Sequence, residues 1–120
     1  MKKMRICLDI DGVIANFSSP EVSYSEVTPL SGAVESLLEM KSDGHYIILC
    51  TARHMRTTNG NVGLVVAKQG LTLLNWPDKH GIVYDELFFG KPWADLYIDD
   101  NALRFDSWDK IPDQIKALKE

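Results

Sequence analysis

Short apolar runs, closed by charged residues or glycine, alternate along the chain with longer stretches in which apolar residues return every three or four positions. The run Arg5-Ile-Cys-Leu-Asp-Ile10 is too short for a helix and is stopped by Asp11-Gly12, so it predicts a buried strand. From Pro29 to Lys41, the residues Leu30, Ala33, Val34, Leu37, Leu38 and Met40 keep helical spacing, and Asp43-Gly44 offers a stop. Tyr46 to Cys50 reads as a second strand. Asn61 to Asn75 reads as a second helix closed by Trp76-Pro77. Glu86 to Phe89 and Leu96 to Asp99 read as third and fourth strands, and Asp113 to Glu120 as a short final helix. Strands that alternate with helices predict βαβ units and a parallel sheet, because parallel neighbours need a crossover.

Composition narrows this α/β reading without changing it. The 120 residues fit one domain, 1–120, and 45% hydrophobic with 25% charged residues is the balance of a globular protein with a real core. A net charge of −4 argues against non-specific nucleic-acid binding, which depends on Lys and Arg neutralising phosphates. Cys7 and Cys50 each fall in an apolar strand and read as buried core thiols. Lys2-Lys3 begins like a secretory leader, but Asp9 interrupts the apolar stretch that follows. No run is long enough to span a membrane. A cytoplasmic protein is expected, with neither nucleic acid nor membrane as partner.

In a parallel sheet, ligands bind beyond the C-terminal strand ends. The first strand ends in Asp9 and then Asp11, the second in Thr51 followed by Arg53. Gly90-Lys91 follows the third, and the fourth ends in Asp99-Asp100. Crowded carboxylates are stable only around a cation, and hard oxygen donors select Mg²⁺. Lys91 and Thr51 suit a phosphoryl group, one by charge and the other by its hydroxyl. A carboxylate nucleophile can take that group as an acyl phosphate, while a second carboxyl two positions on protonates the leaving oxygen. Taken singly, each residue has an ordinary reading: an Asp-Gly turn, a helix cap at Thr51, a solvated Lys91, a loop start at Asp99-Asp100. Those readings leave the shared placement at strand ends unexplained.

Asp9-Ile-Asp11-Gly12-Val13, Thr51-Ala-Arg53, Gly90-Lys91-Pro92 and Ile98-Asp99-Asp100 resemble, in order, the four motifs of the haloacid dehalogenase superfamily. The resemblance spans residues 6 to 100 and implies a three-layer α/β/α sandwich around a Rossmann-like parallel sheet. It implies Asp9 as nucleophile and metal ligand, and Asp11 as acid/base with its carbonyl on the metal. Thr51 and Lys91 would hold phosphate, Asp99 would ligate Mg²⁺ and Asp100 would support it. An Asp at position 11 looks like the phosphatases of the superfamily rather than its dehalogenases. The small size resembles capless phosphatases, including ones of capsule and polysaccharide biosynthesis, and implies a small phosphorylated substrate such as a sugar phosphate. Asn101 departs from the Asp-Asp-Arg of some similar sequences.

Arg53 and Arg56 follow the second strand closely and are candidate clamps for an anionic substrate, the alternative being a surface pair. His54 between them could line the pocket. His45 and His80 read as surface or loop residues, and Trp76, Trp93 and Trp108 as packing residues. Two other functions fit the same residue types: a phospho-accepting receiver module, which would carry its acidic pair on the first strand, and a phosphatase of nucleic-acid ends, which the acidic balance disfavours. Neither gap between motifs has room for a cap domain. A homo-oligomer is therefore expected to cover the site, with Val22, Tyr24 and Val27 as candidate contacts.

Overall fold

The computed structural model describes residues 3–118. Its elements run β1 (Arg5–Asp9), α1 (Ala33–Ser42), β2 (Tyr46–Thr51), α2 (Val62–His80), β3 (Glu86–Phe89), a 3₁₀ turn (Trp108–Lys110) and α3 (Ile111–Lys116). The three strands form one parallel sheet in the order β1-β2-β3. Register runs from Arg5 opposite Tyr46 to Asp9 opposite Cys50, and from Ile48 opposite Glu86 to Thr51 opposite Phe89. Asp9, Thr51 and Phe89 therefore end at the same edge. The α/β class and the Rossmann-like parallel sheet expected from the sequence are what the structure has, with no inserted cap among the described residues. Nor is any helix among them long and apolar enough to cross a membrane.

Alternation along the strands decides which face is buried. Leu8, Ile10, Ile47 and Leu49 point one way and join Ala33, Leu37 and Met40 of α1 and Leu73 and Trp76 of α2 in a single core. The opposite face carries Arg5, Cys7, Tyr46, Ile48, Cys50 and Phe88, and Phe88 is 54% exposed. The core-thiol expectation therefore fails for Cys7, which faces out, and holds in part for Cys50, which is half-buried.

Other departures have local causes. The first helix starts at Ala33, not Pro29, because the preceding backbone is held extended. Thr28 carbonyl accepts from Asn16 N–H at 2.9 Å, Leu30 N–H donates to Ile14 carbonyl at 2.8 Å, and Pro29 bridges Ala15. The second helix does not close at Trp76-Pro77 but continues to His80. Pro77 forfeits one helical hydrogen bond. Burial of Trp76, whose indole donates to Val27 carbonyl at 2.8 Å, keeps the chain on the core for one more turn. Pro112 sits in the first turn of α3, where its missing N–H costs nothing, so this helix starts ahead of Asp113. Its expected end at residues 119–120 lies outside the described residues.

His45 is no surface residue: it is 2% exposed, and its Nδ1 accepts from Met4 N–H at 3.1 Å. His80 lies in the last turn of α2 against Trp76, ring centroids 4.7 Å apart. Burial, then Lys79, lowers its pKa. Trp108 is buried as expected, whereas Trp93 is half exposed. Among the flap residues, Val27 packs into the chain's own core rather than waiting for a neighbour, and Val22 remains exposed.

The expected fourth strand, Leu96–Asp99, is unpaired irregular chain. A parallel crossover needs about a dozen residues or more, and only the six residues 90–95 separate this segment from β3.

The two thiols give a direct check of the sheet's sidedness. Burial, then the neighbouring Cys7, pushes the Cys50 thiol up to about 12, and its Sγ lies 3.5 Å from Leu8 carbonyl. Iodoacetamide at pH 8 should label Cys7 in the native protein and Cys50 only after denaturation, as read by peptide mass spectrometry.

Candidate active site

At the C-terminal edge of the sheet, two glycines turn the backbone so that side chains stay at the rim. Gly12 has φ +86°, and a Cβ there would come within 2.5 Å of the Phe17 ring. The turn it makes is closed by Gly12 N–H on Ala15 carbonyl and by Ile14 and Ala15 N–H on Ile10 carbonyl, all 2.8–2.9 Å. Gly90 has φ +93° and brings Lys91 back over β2, where Lys91 N–H donates to Thr51 carbonyl at 3.0 Å. Left-handed φ values are strained for residues with a Cβ.

These turns bring Asp9, Asp11, Thr51 and Lys91 together. Asp9 Oδ1 accepts from Ile10 N–H at 2.9 Å, and Lys91 Nζ lies 3.5 Å from Asp9 Oδ2. Thr51 is fully buried, and its Oγ1 accepts from Arg53 N–H at 3.0 Å, which leaves the hydroxyl proton free to donate. Burial raises the Asp9 carboxyl above its ordinary value, and Lys91 opposes that rise.

Arg53 departs from the expected substrate clamp. Its side chain is fully buried and grips Asp11: Nη2 donates to Oδ1 at 2.8 Å, and Nε donates to Oδ2 at 2.9 Å and Oδ1 at 3.2 Å. Nη1 reaches Gln69 Oε1 at 3.5 Å, and the guanidinium lies 4.1 Å from the centre of the Tyr24 ring. A buried guanidinium needs such a partner, because its desolvation is offset only by well-formed charged hydrogen bonds. Tyr24 is thus a lid on its own chain's Arg53. Gln69 escaped the sequence reading, although a signal was there: it lies between Val65 and Leu73 on the buried stripe of α2, a polar residue in an apolar row.

The remaining candidates lie further out. His54 adopts φ +60°, meets Tyr24 edge-on with centroids 5.7 Å apart, and has its pKa lowered by burial, then by Lys68 and Arg53. Arg56 is exposed, and its guanidinium lies 4.7 Å from the centre of the Trp93 ring. Asp99 and Asp100 are exposed and are not brought to Asp9. Asn101 N–H donates to Asp99 Oδ1 at 3.2 Å, and this bond, then that from the Asp100 side chain, lowers the Asp99 pKa.

Asp9 and Asp11 offer the hard oxygen donors magnesium prefers. Among the described residues, however, no three His, Cys, Asp or Glu side chains converge to hold a metal ion. The Asp11 carboxylate is also occupied by Arg53. As it stands, the donor set does not fit a magnesium site.

No protein-family model matches the chain, and no curated protein matches it. Among solved structures, a structural-genomics target from Vibrio cholerae is 33% identical, with a TM-score of 0.78 over 98% of this chain and 90% of that one. The D,D-heptose 1,7-bisphosphate phosphatase of B. bronchiseptica, solved with magnesium and phosphate, superimposes with a TM-score of 0.50 at 21% identity. That match covers 78% of this chain and 52% of the phosphatase.

The raised Asp9 pKa fixes the sign of a stability test. The folded chain keeps this proton over a range where the unfolded chain has lost it. The stabilisation is therefore complete below the ordinary value of 3.8 and is lost as pH rises through the folded value. At neutral pH the carboxylate is a net cost, so Asp9→Asn should melt higher than the wild type without metal at pH 7. The advantage should vanish towards pH 3. Asp9 is one-third exposed, so solvent screens the effect, and the gain is on the order of 2 °C by scanning calorimetry. A lower melting point at pH 7 would mean that the Lys91 contact outweighs burial.

Proposed function

Because the chain belongs to one family with the Vibrio cholerae protein and has a haloacid dehalogenase-like fold, we propose that it hydrolyses phosphomonoesters through a phosphorylated Asp9. The observation that carries this reading is the pairing of Asp9, at the end of β1, with Lys91, after β3, across the C-terminal edge of a parallel sheet whose middle strand ends in the buried Thr51.

In this reading, Asp9 Oδ2 attacks phosphorus while Lys91 and Thr51 hold the non-bridging oxygens. The phosphorus–oxygen bond to the leaving group breaks, and Asp11 supplies the proton that makes it an alcohol. Asp11 then takes a proton from water as the water attacks the acyl phosphate, which frees inorganic phosphate and restores Asp9. Asp11 can carry a proton only when the Arg53 grip loosens on one oxygen. Oδ2 has a single contact against two on Oδ1, so Oδ2 is the oxygen to be released. Arg53 thus acts as a positioning residue, holding Asp11 over the nucleophile, rather than as a clamp on substrate.

The substrate we infer is a small phosphorylated metabolite such as a sugar phosphate. The fold neighbour's own substrate, a heptose bisphosphate, supports that class. So does the exposed Arg56–Trp93 pair, which offers a cation and an aromatic face to the non-reacting part of a sugar. His54, whose pKa is lowered by burial, then by Lys68 and Arg53, offers a ring nitrogen for a substrate hydroxyl. The founding experiment is phosphate release from a panel of sugar, nucleotide and acyl phosphates with and without Mg²⁺. If no member is turned over, the proposal fails.

Two variants test the assigned roles. Asp11→Asn should slow phosphoryl-enzyme formation on an alkyl phosphate about 100-fold, in line with general acid catalysis, and an aryl phosphate much less, in single-turnover kinetics. Equal losses would remove Asp11 as the acid. Arg53→Lys cannot reproduce the fork, so kcat should fall about 10-fold or more with KM little changed. A raised KM at unchanged kcat would restore Arg53 to the substrate.

A further inference from the structure

Helix α2 carries two apolar rows. Val65, Leu73 and Trp76 bury one of them. On the opposite side Leu64, Ala67, Leu71 and Leu74 form a second row, and it faces water. Leu71 is 77% exposed, Leu74 53% and Leu64 49%. A helix with one buried face is normally polar on the other. Apolar residues spaced three, four and three apart are instead the seam along which two helices meet. Two glycines mark the same side. Gly63 and Gly70 lie seven residues apart on one flank of the row. Glycine is, proline apart, the poorest helix former, and the chain's own packing gives no reason for either. Neither has a left-handed φ. A Cβ would meet only Asn61 Oδ1 at 3.4 Å in one case and Val66 Cγ1 at 3.5 Å in the other, both ordinary contacts. What a bare Cα does permit is the close approach of another backbone along that flank.

We infer that α2 pairs with α2 of a second copy of the chain, antiparallel, about a two-fold axis between Leu71 and Leu74. The inference does not rest on the phosphatase reading.

Charge sets both the partner and the direction. The row continues, four residues beyond Leu74, in the exposed Asp78, and the exposed Lys68 flanks it. In a parallel pair Asp78 would stand against its own counterpart, two like charges in one seam. In the antiparallel pair Leu71 meets the partner's Leu74. The same register sets Ala67 level with the partner's Asp78, with Lys68 one position away. Each carboxylate then meets a small residue and an opposite charge, and the contact occurs twice. The helix dipoles are opposed as well. A two-fold interface must be complementary to itself, and this row is, so a second copy fits it with no other partner. The flap is less suited to that role: Val27 is buried in its own core, and Tyr24 lies on its own chain's Arg53.

Two helices that meet along about 21 Å, from Leu64 to Asp78, bury less than the standard interface of about 1,600 Å². Sedimentation equilibrium of the full chain over a concentration series should therefore show a dimer that dissociates on dilution. Leu71→Glu, at a position open to water and so harmless to folding, should be monomeric throughout. Lys68→Asp and Asp78→Lys should each raise the dissociation constant about tenfold or more, since each sets like charges together. Both changes combined in one chain should restore the wild-type value. Gly70→Ala separates the seam from the helix itself. It should raise the melting temperature of the dilute monomer, because alanine is the better helix former, and yet weaken the dimer. A dimer that survives Leu71→Glu, unchanged dimerisation in Gly70→Ala, or no rescue by the combined charge change would overturn the antiparallel pair. A wild type that stays monomeric across the series would overturn it too and leave the row to a different protein.

Discussion

A guanidinium with no exposure to water must be matched by a carboxylate, and Arg53 meets this condition with Asp11. The pair gathers contacts from four parts of the chain. Asp11 follows β1, Arg53 follows β2, Tyr24 comes from the flap and Gln69 from α2, and all four converge on one charged group. Breaking a buried pair of this kind by removing one partner typically costs about 3–5 kcal/mol, because the survivor is left unpaired. The rim of the active site and the closure of the flap are therefore a single electrostatic unit. Any substitution at Asp11 made to probe chemistry also acts on this unit.

Much of the fold was legible because it follows from local rules. Three of the strands and both long helices sit where apolar spacing put them, since a β-strand and a helix bury their residues with different periods. Asp9, Asp11, Thr51 and Lys91 converge because parallel strands in register place their C-terminal ends together, and that register follows from which faces are apolar. Features that depend on non-local contact were not legible. Pro77 should end a helix, and nothing near it in sequence shows that Trp76 is tied to Val27, 49 residues away. The inward turn of Arg53 depends on Asp11, 42 residues earlier. The segment 96–99 misled the reading for a different reason: its composition is that of a strand, but a strand exists only where a neighbour does.

The contrast between the two ends of the site is informative. Asp9 and Lys91 are placed by backbone turns and sheet register, which are rigid. Arg56 and Trp93 are placed by a cation–aromatic contact at the surface, and Tyr97 by its ring 4.3 Å from Lys91 Nζ and its hydroxyl donating to Pro92 carbonyl. Such contacts contribute about 0.5–1 kcal/mol at exposed positions. The reacting groups are held firmly, and the groups around them can rearrange with what they meet.

The flap between the first two motifs is fastened at both ends by indole rings. Trp108 Nε1 donates to Val13 carbonyl at 2.7 Å, and Trp76 Nε1 donates to Val27 carbonyl at 2.8 Å. One ring comes from α2 and the other from the turn before α3, so the two fastenings belong to separate parts of the core. Both chromophores are almost free of solvent, while the third tryptophan, Trp93, is half exposed beside Arg56. The intrinsic fluorescence of the protein thus divides by origin: blue-shifted emission reports the anchoring of the flap, and red-shifted, quencher-accessible emission reports the mouth of the site. A single optical signal, without any attached dye, separates motion of the loop from events at the entrance.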